Sequence, residues 1–171
     1  MGILFFADSN AQSNRKISTT IFAQGNLTLH DYTIGNNPWA IGMGFQTEIR
    51  TKSRFSPMLE ITGDAYLADD KVLRVDPDGN ETNVDNDVPG MVNIFGGAAY
   101  RTSDMAFVAL TAGPSLINGK IFFGIKPAFG FYFDEKHRWT GKLSYIHVFD
   151  RTKLNKQDFV SLSAAIGVRL F

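Results

Sequence analysis

Cysteine, long apolar runs and net charge are all missing from this chain. Its 171 residues include no cysteine, which excludes disulfides, thiolate metal sites and thiol catalysis. No uninterrupted run of about 18 apolar residues occurs, so an ordinary transmembrane helix is excluded. Lysine and arginine number 17, as do aspartate and glutamate, so no overall field favours nucleic acid or an acidic substrate. We predict one domain, with no cofactor and no nucleic-acid partner.

Phenylalanine (15) and glycine (16) are abundant, and the segment 121–133 shows how they are arranged. Its odd positions are all Ile, Phe or Pro. Its even positions are two glycines, Lys126, Tyr132, Phe122 and Ala128. Successive side chains of a strand point to opposite faces, so one face is continuously apolar. A water-soluble barrel normally packs its apolar face inside. The pattern therefore favours a barrel with an apolar exterior, which lies in lipid.

Seven further segments have strand-like composition, and turn residues separate them. Strand five is apolar on both faces, so its facing stays open, and Pro127 predicts a bulge. The links after strands two, four and six are short, those after one, three and seven are longer, and the link 115–119 after strand five is modest. The predicted strands are Ile17–Leu29, Trp39–Arg50, Pro57–Ala68, Met91–Arg101, Met105–Pro114, Lys120–Phe133, Trp139–Phe149 and Asp158–Phe171.

This alternation of links is the plan of outer-membrane barrels. We predict an all-β fold, an eight-stranded antiparallel up-and-down transmembrane β-barrel formed by residues 13–171, with strand one paired to strand eight. Residues 1–12 contain the apolar run Ile3–Ala7 followed by small and polar residues. They are interpreted as the remnant of a signal peptide or as an N-terminal arm.

Over about 155 of the 171 residues the chain resembles the small eight-stranded outer-membrane barrels of the OmpX and OmpA-transmembrane type. The most specific element is Gly167–Phe171, which is similar to the terminal-Phe strand that such proteins offer to the barrel assembly machinery. Arg169 and Gly167 depart from the pattern, because the family has apolar residues there. The resemblance implies the outer membrane of a Gram-negative bacterium, with its lipid and the assembly machinery as partners.

The polar faces of the strands predict a network of charges in the lumen of the barrel. Such a small barrel is filled by side chains, and buried charges must pair. The network is interpreted as a salt-bridge plug, with a narrow gated ion path as the alternative. Its predicted members are Glu48, Arg50, Glu60, Asp64, Arg101, Lys126 and Arg169.

The longest link, Asp69–Gly90, predicts a projecting hairpin that could bind a protein partner, because Pro77 precedes Asp78-Gly79. The alternative is a calcium site at Asp76, Asp78 and Asn80. The spacing of these oxygen ligands is similar to that of an EF-hand loop, but no closing glutamate or flanking helix follows the pattern.

The three histidines are scattered, and no metal-binding spacing links them. His147 with Ser144 and Asp150 suggests an acyl hydrolase, but Ser144 lies on the opposite face of its strand, so we predict no enzymatic activity. Aromatic residues near strand ends predict interfacial girdles; they are Trp39, Tyr100, Phe133, Trp139, Phe149 and Phe171.

The predicted function is a structural, adhesive or accessory role that is exerted through the loops of a membrane barrel with a filled lumen. Two alternatives stay open. One is an outer-membrane lipid-modifying enzyme, and the other is a water-soluble lipocalin-like barrel that binds a ligand.

Overall fold

The computed structural model describes residues 17–30, 38–67, 73–75, 81–83, 90–150 and 158–170. These residues contain strands and turns, and none of them belongs to a helix long and apolar enough to cross a membrane. The strands are β1 (Ile17–His30), β2 (Trp39–Ile49), β3 (Phe55–Leu67), β4 (Leu73–Val75), β5 (Glu81–Asn83), β6 (Gly90–Arg101), β7 (Ala106–Ile117), β8 (Lys120–Tyr132), β9 (Trp139–Val148) and β10 (Phe159–Arg169).

Eight of these strands close into one antiparallel barrel, in the order β1-β10-β9-β8-β7-β6-β3-β2. The first and last strands pair from Thr20 opposite Arg169 to Leu27 opposite Leu162, with one register shift between Thr28 and His30. Closure leaves no barrel strand with a free edge, so each barrel strand is hydrogen-bonded to a neighbour on both sides. The predicted fold class and the predicted pairing of strand one with strand eight are confirmed.

The predicted facing of the strands is confirmed where the sequence alternates. In β3 buried and exposed residues alternate over the whole strand, and β2 exposes Ile41, Met43 and Phe45 while it buries Gln46 and Glu48. The facing of β7, which the sequence left open, is also clear. Phe107, Ala109 and Thr111 are buried, whereas Val108 and Leu110 are exposed.

Two local predictions were wrong. The link after the fifth barrel strand is not 115–119 but the two-residue turn Asn118-Gly119, with φ of 51° and 71°. Both residues adopt the left-handed conformation that a tight hairpin turn requires. Pro127 makes no bulge: it pairs with Leu110 of β7 in continuous register. On its other side the β8–β9 pairing is interrupted between Ile125 and Ala128 and resumes without a shift.

The barrel has two different ends. One end, called here the turn end, carries the links 50–54, 102–105 and 133–138. The other, called the loop end, carries 31–38, 68–89, the tight turn and 149–158. The paired strands β4 and β5 lie within 68–89 and form a separate two-stranded sheet, as predicted for the hairpin.

The exterior wall is apolar around its whole circumference. Each of the eight barrel strands exposes large apolar side chains, such as Leu27, Phe45 and Leu110. Between the strand ends, no outward position carries Asp, Glu, Lys or Arg, and His147 is the only outward histidine in the described wall. The charged residues that these strands bury are Glu48, Glu60, Asp64, Lys126 and Lys142.

Candidate functional site

Three buried charges from distant parts of the chain meet at the centre of the lumen. Glu60 of β3 accepts from the ammonium groups of Lys126 on β8 and Lys142 on β9, with N–O distances of 2.5 and 2.8 Å. All three side chains are at most 3% exposed. Lys142 also donates to Gln46 at 3.0 Å and lies 4.3 Å from the centre of the Phe22 ring. Glu60 therefore ties β3 to the opposite wall of the barrel.

A second carboxylate, that of Asp64, is also buried at the centre of the lumen. Its partners are side-chain amides and not lysines. Gln24 and Asn26 donate to the same Asp64 oxygen at 2.6 and 2.7 Å. Gly42 pairs with Gln24 on one side and with Asp64 on the other, and because it has no side chain Gln24 can reach across it. A Cβ at Gly42 would overlap the Asp64 carboxylate. Two buried lysines and two buried carboxylates give the centre a formal net charge of zero.

Apolar layers lie on both sides of this polar centre inside the barrel. At the loop end Tyr66, Met91 and Phe159 pack with neighbouring aliphatic residues. At the turn end Met58, Phe107, Ala109, Ala99 and Tyr132 form a second cluster. A hydrated ion crossing the lumen would have to leave water at each layer, which costs several kcal/mol.

Lumen phenylalanines occupy space that glycines leave open. The ring of Phe107 lies against Gly130, and that of Phe95 against Gly124. A methyl group at either glycine would overlap the ring. Gly124 and Gly130 of β8 therefore allow close packing of these rings inside the barrel.

Four members of the predicted charge network lie away from the central cluster. Glu48 is buried, but neither it nor Arg50 forms an ion pair with a described residue. Arg101 donates to the backbone carbonyl of Ser53 at 2.8 Å, and Arg169 donates to that of Lys136 at 3.2 Å, both at the turn end. Of the seven predicted residues, only Glu60 and Lys126 share an ion pair, and the sequence reasoning missed Lys142.

His147 pairs with an acid on the outside of the wall. Its Nε2 lies 2.8 Å from Asp158, beside the loop end, and its ring stacks on Phe149 at 4.3 Å. Two hydrogen bonds lower the pKa of Asp158 below its usual value. The larger effect comes from the Asp150 backbone N–H and the smaller from the His147 side chain. Ser144 is buried on the opposite face of β9, so this serine does not lie beside His147.

The turn 133–138 is held by one carboxylate. Asp134 accepts from the backbone N–H groups of Arg138 and Trp139 at 2.8 and 3.0 Å, and the Trp139 bond chiefly lowers its pKa. His137 adopts a positive φ of 53° and stacks on Tyr132 with 4.0 Å between ring centres. Burial lowers the pKa of His137, which favours the neutral imidazole. These hydrogen bonds and this ring contact stabilise the turn.

The predicted girdle aromatics lie at both ends of the barrel. Phe133 and Trp139 are exposed at the turn end and Trp39 at the loop end. Tyr100 packs on Phe55 at the turn end, 4.8 Å between ring centres. At the loop end Phe149 stacks on Phe123 at 6.1 Å. Phe171 lies outside the described residues.

The candidate calcium residues Asp76, Asp78 and Asn80 also lie outside the described residues, as does the segment 1–12. Within the described ranges, no group of three or more histidines, cysteines or acids is placed to hold a metal ion.

No protein-family model matches the chain, and no curated protein matches its sequence. Solved structures do match. Ail, the attachment invasion locus protein of Yersinia pestis, matches in its crystal structure with a TM-score of 0.55 and 10% identity, over 90% of this chain and 97% of Ail. Ail in a phospholipid bilayer nanodisc matches with 0.54 and 11%, over 90% and 99%.

A de novo designed transmembrane β-barrel, which has no natural source, matches equally well. Its TM-score is 0.54 at 8% identity, over 90% of this chain and 95% of the design. At such identities the likeness concerns the fold. This chain has the fold of a small eight-stranded transmembrane β-barrel, similar to the outer-membrane protein Ail.

Proposed function

We propose that this chain is an integral outer-membrane barrel of a Gram-negative bacterium, with a closed lumen, that acts through its loops in a structural, adhesive or accessory role. This proposal rests mainly on the wall of the barrel. Its outer face is apolar and uncharged, whereas its buried charged side chains lie on the inner face. A strand of 11 residues, such as β2, is about 36 Å long. At a tilt of about 45° it covers about 25 Å, the height of the apolar band of such barrels.

Two other functions are less well supported. A lipocalin-like barrel in water would expose a charged wall, whereas this wall carries Ile41, Met43 and Phe45 outward. A lipid-modifying enzyme needs a nucleophile beside its base, and Ser144 and His147 lie on opposite faces of β9. The proposed partners are the membrane lipid, the barrel assembly machinery through the C-terminal strand, and a protein bound by the loop 69–90. The aromatic residues at the strand ends are proposed to be interfacial.

The closed lumen predicts an electrically silent protein. In planar bilayers the purified barrel should give at most small, noisy events, because two apolar layers enclose a polar centre without net charge. The measurement is single-channel recording, with a porin in the same bilayer as the positive control. A steady current of porin size would contradict the closed lumen.

The loop role predicts that the β4–β5 hairpin can be removed without loss of the barrel. Among the described residues these strands pair only with each other, so replacing residues 74–82 by a tight turn should leave folding and heat-modifiable gel mobility unchanged. Binding of the variant to host-cell or matrix proteins should be abolished. A matched control replaces the same number of residues by a Gly/Ser linker of equal length.

The two variants separate a binding surface from a spacer. Loss of binding in both variants supports recognition by the hairpin itself. If the tight-turn variant does not fold, the hairpin belongs to the barrel. If both variants keep full binding, the recognition surface lies elsewhere.

A further inference from the structure

Two neighbouring turns at the turn end enclose a small polar cavity. It has a volume of about 200 Å³ and is lined by three bases, two hydroxyl residues and one acid. The lining residues are Lys52, Ser53, Arg54, Arg101, Ser103 and Asp104. We call this cavity the basic pocket.

The register of β3 and β6 brings these turns together. Phe55 pairs with Tyr100, so the turns 50–54 and 102–105 emerge side by side. The Arg101 backbone N–H donates to the Arg54 carbonyl at 2.9 Å, and its guanidinium donates to the Ser53 carbonyl at 2.8 Å. The Ser53 hydroxyl in turn accepts from the Phe55 N–H at 3.1 Å. The pocket is therefore built by fixed backbone contacts.

The charges of the basic pocket favour an anion. Three bases against one acid give its lining a net charge of +2, and none of the three bases forms an ion pair with a described residue. The Arg101 Nε is buried and has no hydrogen-bond partner among the described residues. Guanidinium, ammonium and hydroxyl donors around a cavity of this size fit a phosphate group.

The position of the basic pocket indicates which molecule would supply that phosphate. It lies just beyond the Phe55–Tyr100 ring pair, at the end of the apolar wall. Aromatic rings at strand ends mark the depth of lipid headgroups, so the basic pocket lies at the level of the lipid phosphates.

We propose that the basic pocket binds the phosphodiester of an anionic phospholipid from the leaflet next to the turn end. The site rests on the proposed membrane location but not on the role of the loops. Asp104 lowers the charge of the lining and opposes binding. An anionic headgroup is favoured over a zwitterionic one, because only the former neutralises part of the net charge.

The test uses the full chain, isotope-labelled, in phosphatidylcholine nanodiscs with increasing phosphatidylglycerol. The backbone amide signals of Ser53 and Ser103 should shift and saturate in the unmodified protein. In K52Q/R54Q the apparent affinity should fall by about 10-fold, equivalent to the loss of roughly two exposed ion pairs. The control K136Q/R138Q removes the same number of bases from the neighbouring turn and should keep the binding. D104N should strengthen it.

Each result decides the question. If both double variants lose the same affinity for phosphatidylglycerol, or if the amide signal shifts never saturate, the attraction is diffuse and the site is overturned. Equal saturation by inorganic phosphate in pure phosphatidylcholine nanodiscs would overturn the lipid assignment. Heat-modifiable mobility, measured on every sample, separates these failures from a failure of membrane insertion, which would contradict the proposed function.

Discussion

Replacing Glu60 by Gln should lower the free energy of unfolding by about 3–5 kcal/mol, the usual cost of breaking a buried ion pair. The substitution keeps the shape of the side chain but leaves Lys126 and Lys142 facing each other without their shared carboxylate. Both ammonium groups are almost completely buried, so water cannot replace the lost partner. The measurement is unfolding by guanidinium in phospholipid vesicles, followed by tryptophan fluorescence.

A second substitution separates charge imbalance from damage to packing. E60Q/K142M restores a neutral centre, with Asp64 remaining to offset Lys126, and should regain most of the lost stability. E48Q is the matched control, because Glu48 is buried on the same side of the barrel without an ion pair to any described residue. Its effect should be much smaller. If E60Q and E48Q cost the same, the central cluster does not stabilise the fold.

The wall of the barrel could be predicted from the sequence because its signal is local. In β3 each outward residue is apolar or small, and each inward residue from Glu60 to Tyr66 is polar or amphipathic. This two-residue alternation can be read from the strand's own sequence, without knowing which strands pair with it. The pattern failed in β7 for a physical reason. Its inward residues Phe107, Ala109 and Ile117 belong to the apolar layers, so both faces of that strand are apolar.

The contents of the lumen could be predicted only in part, because barrel closure decides which inward residues meet. Asp64 faces Gln24 across Gly42, a contact between strands that no single segment reveals. Lys142 was missed because Ile146 and Val148 on the same face of β9 belong to the loop-end layer, which obscured the alternation. The basic pocket depends in the same way on the pairing of β3 with β6.

Turn chemistry explains the remaining differences. Pro114 suggested the end of the fifth strand, but it points outward from β7 and the strand continues to Ile117. Asn118-Gly119 then makes the tight turn that this dipeptide favours. A proline in a wall strand removes one ladder hydrogen bond without forcing a bulge, as the unshifted pairing around Pro127 shows.

Replacing Leu110 by Arg should cost about 2–4 kcal/mol of folding stability in lipid vesicles, the depth-dependent cost of a charge near the bilayer midplane. Leu110 is 60% exposed on the outer wall, near the middle of β7. An arginine there must hold its guanidinium in hydrocarbon or bend it a long way towards a headgroup. Insertion and unfolding are measured in vesicles of phosphatidylcholine.

The matched control places the same residue at the edge of the wall. Ile121 is 71% exposed and lies one residue from the start of β8, at the loop end. Ile121→Arg should cost only about 0–1 kcal/mol, because the guanidinium reaches the headgroups there. In a water-soluble barrel both substitutions would be nearly neutral, within about 0.5 kcal/mol. Equal and small effects of the two arginines, in a variant pair that folds without lipid, would therefore exclude the membrane barrel and leave the ligand-binding alternative.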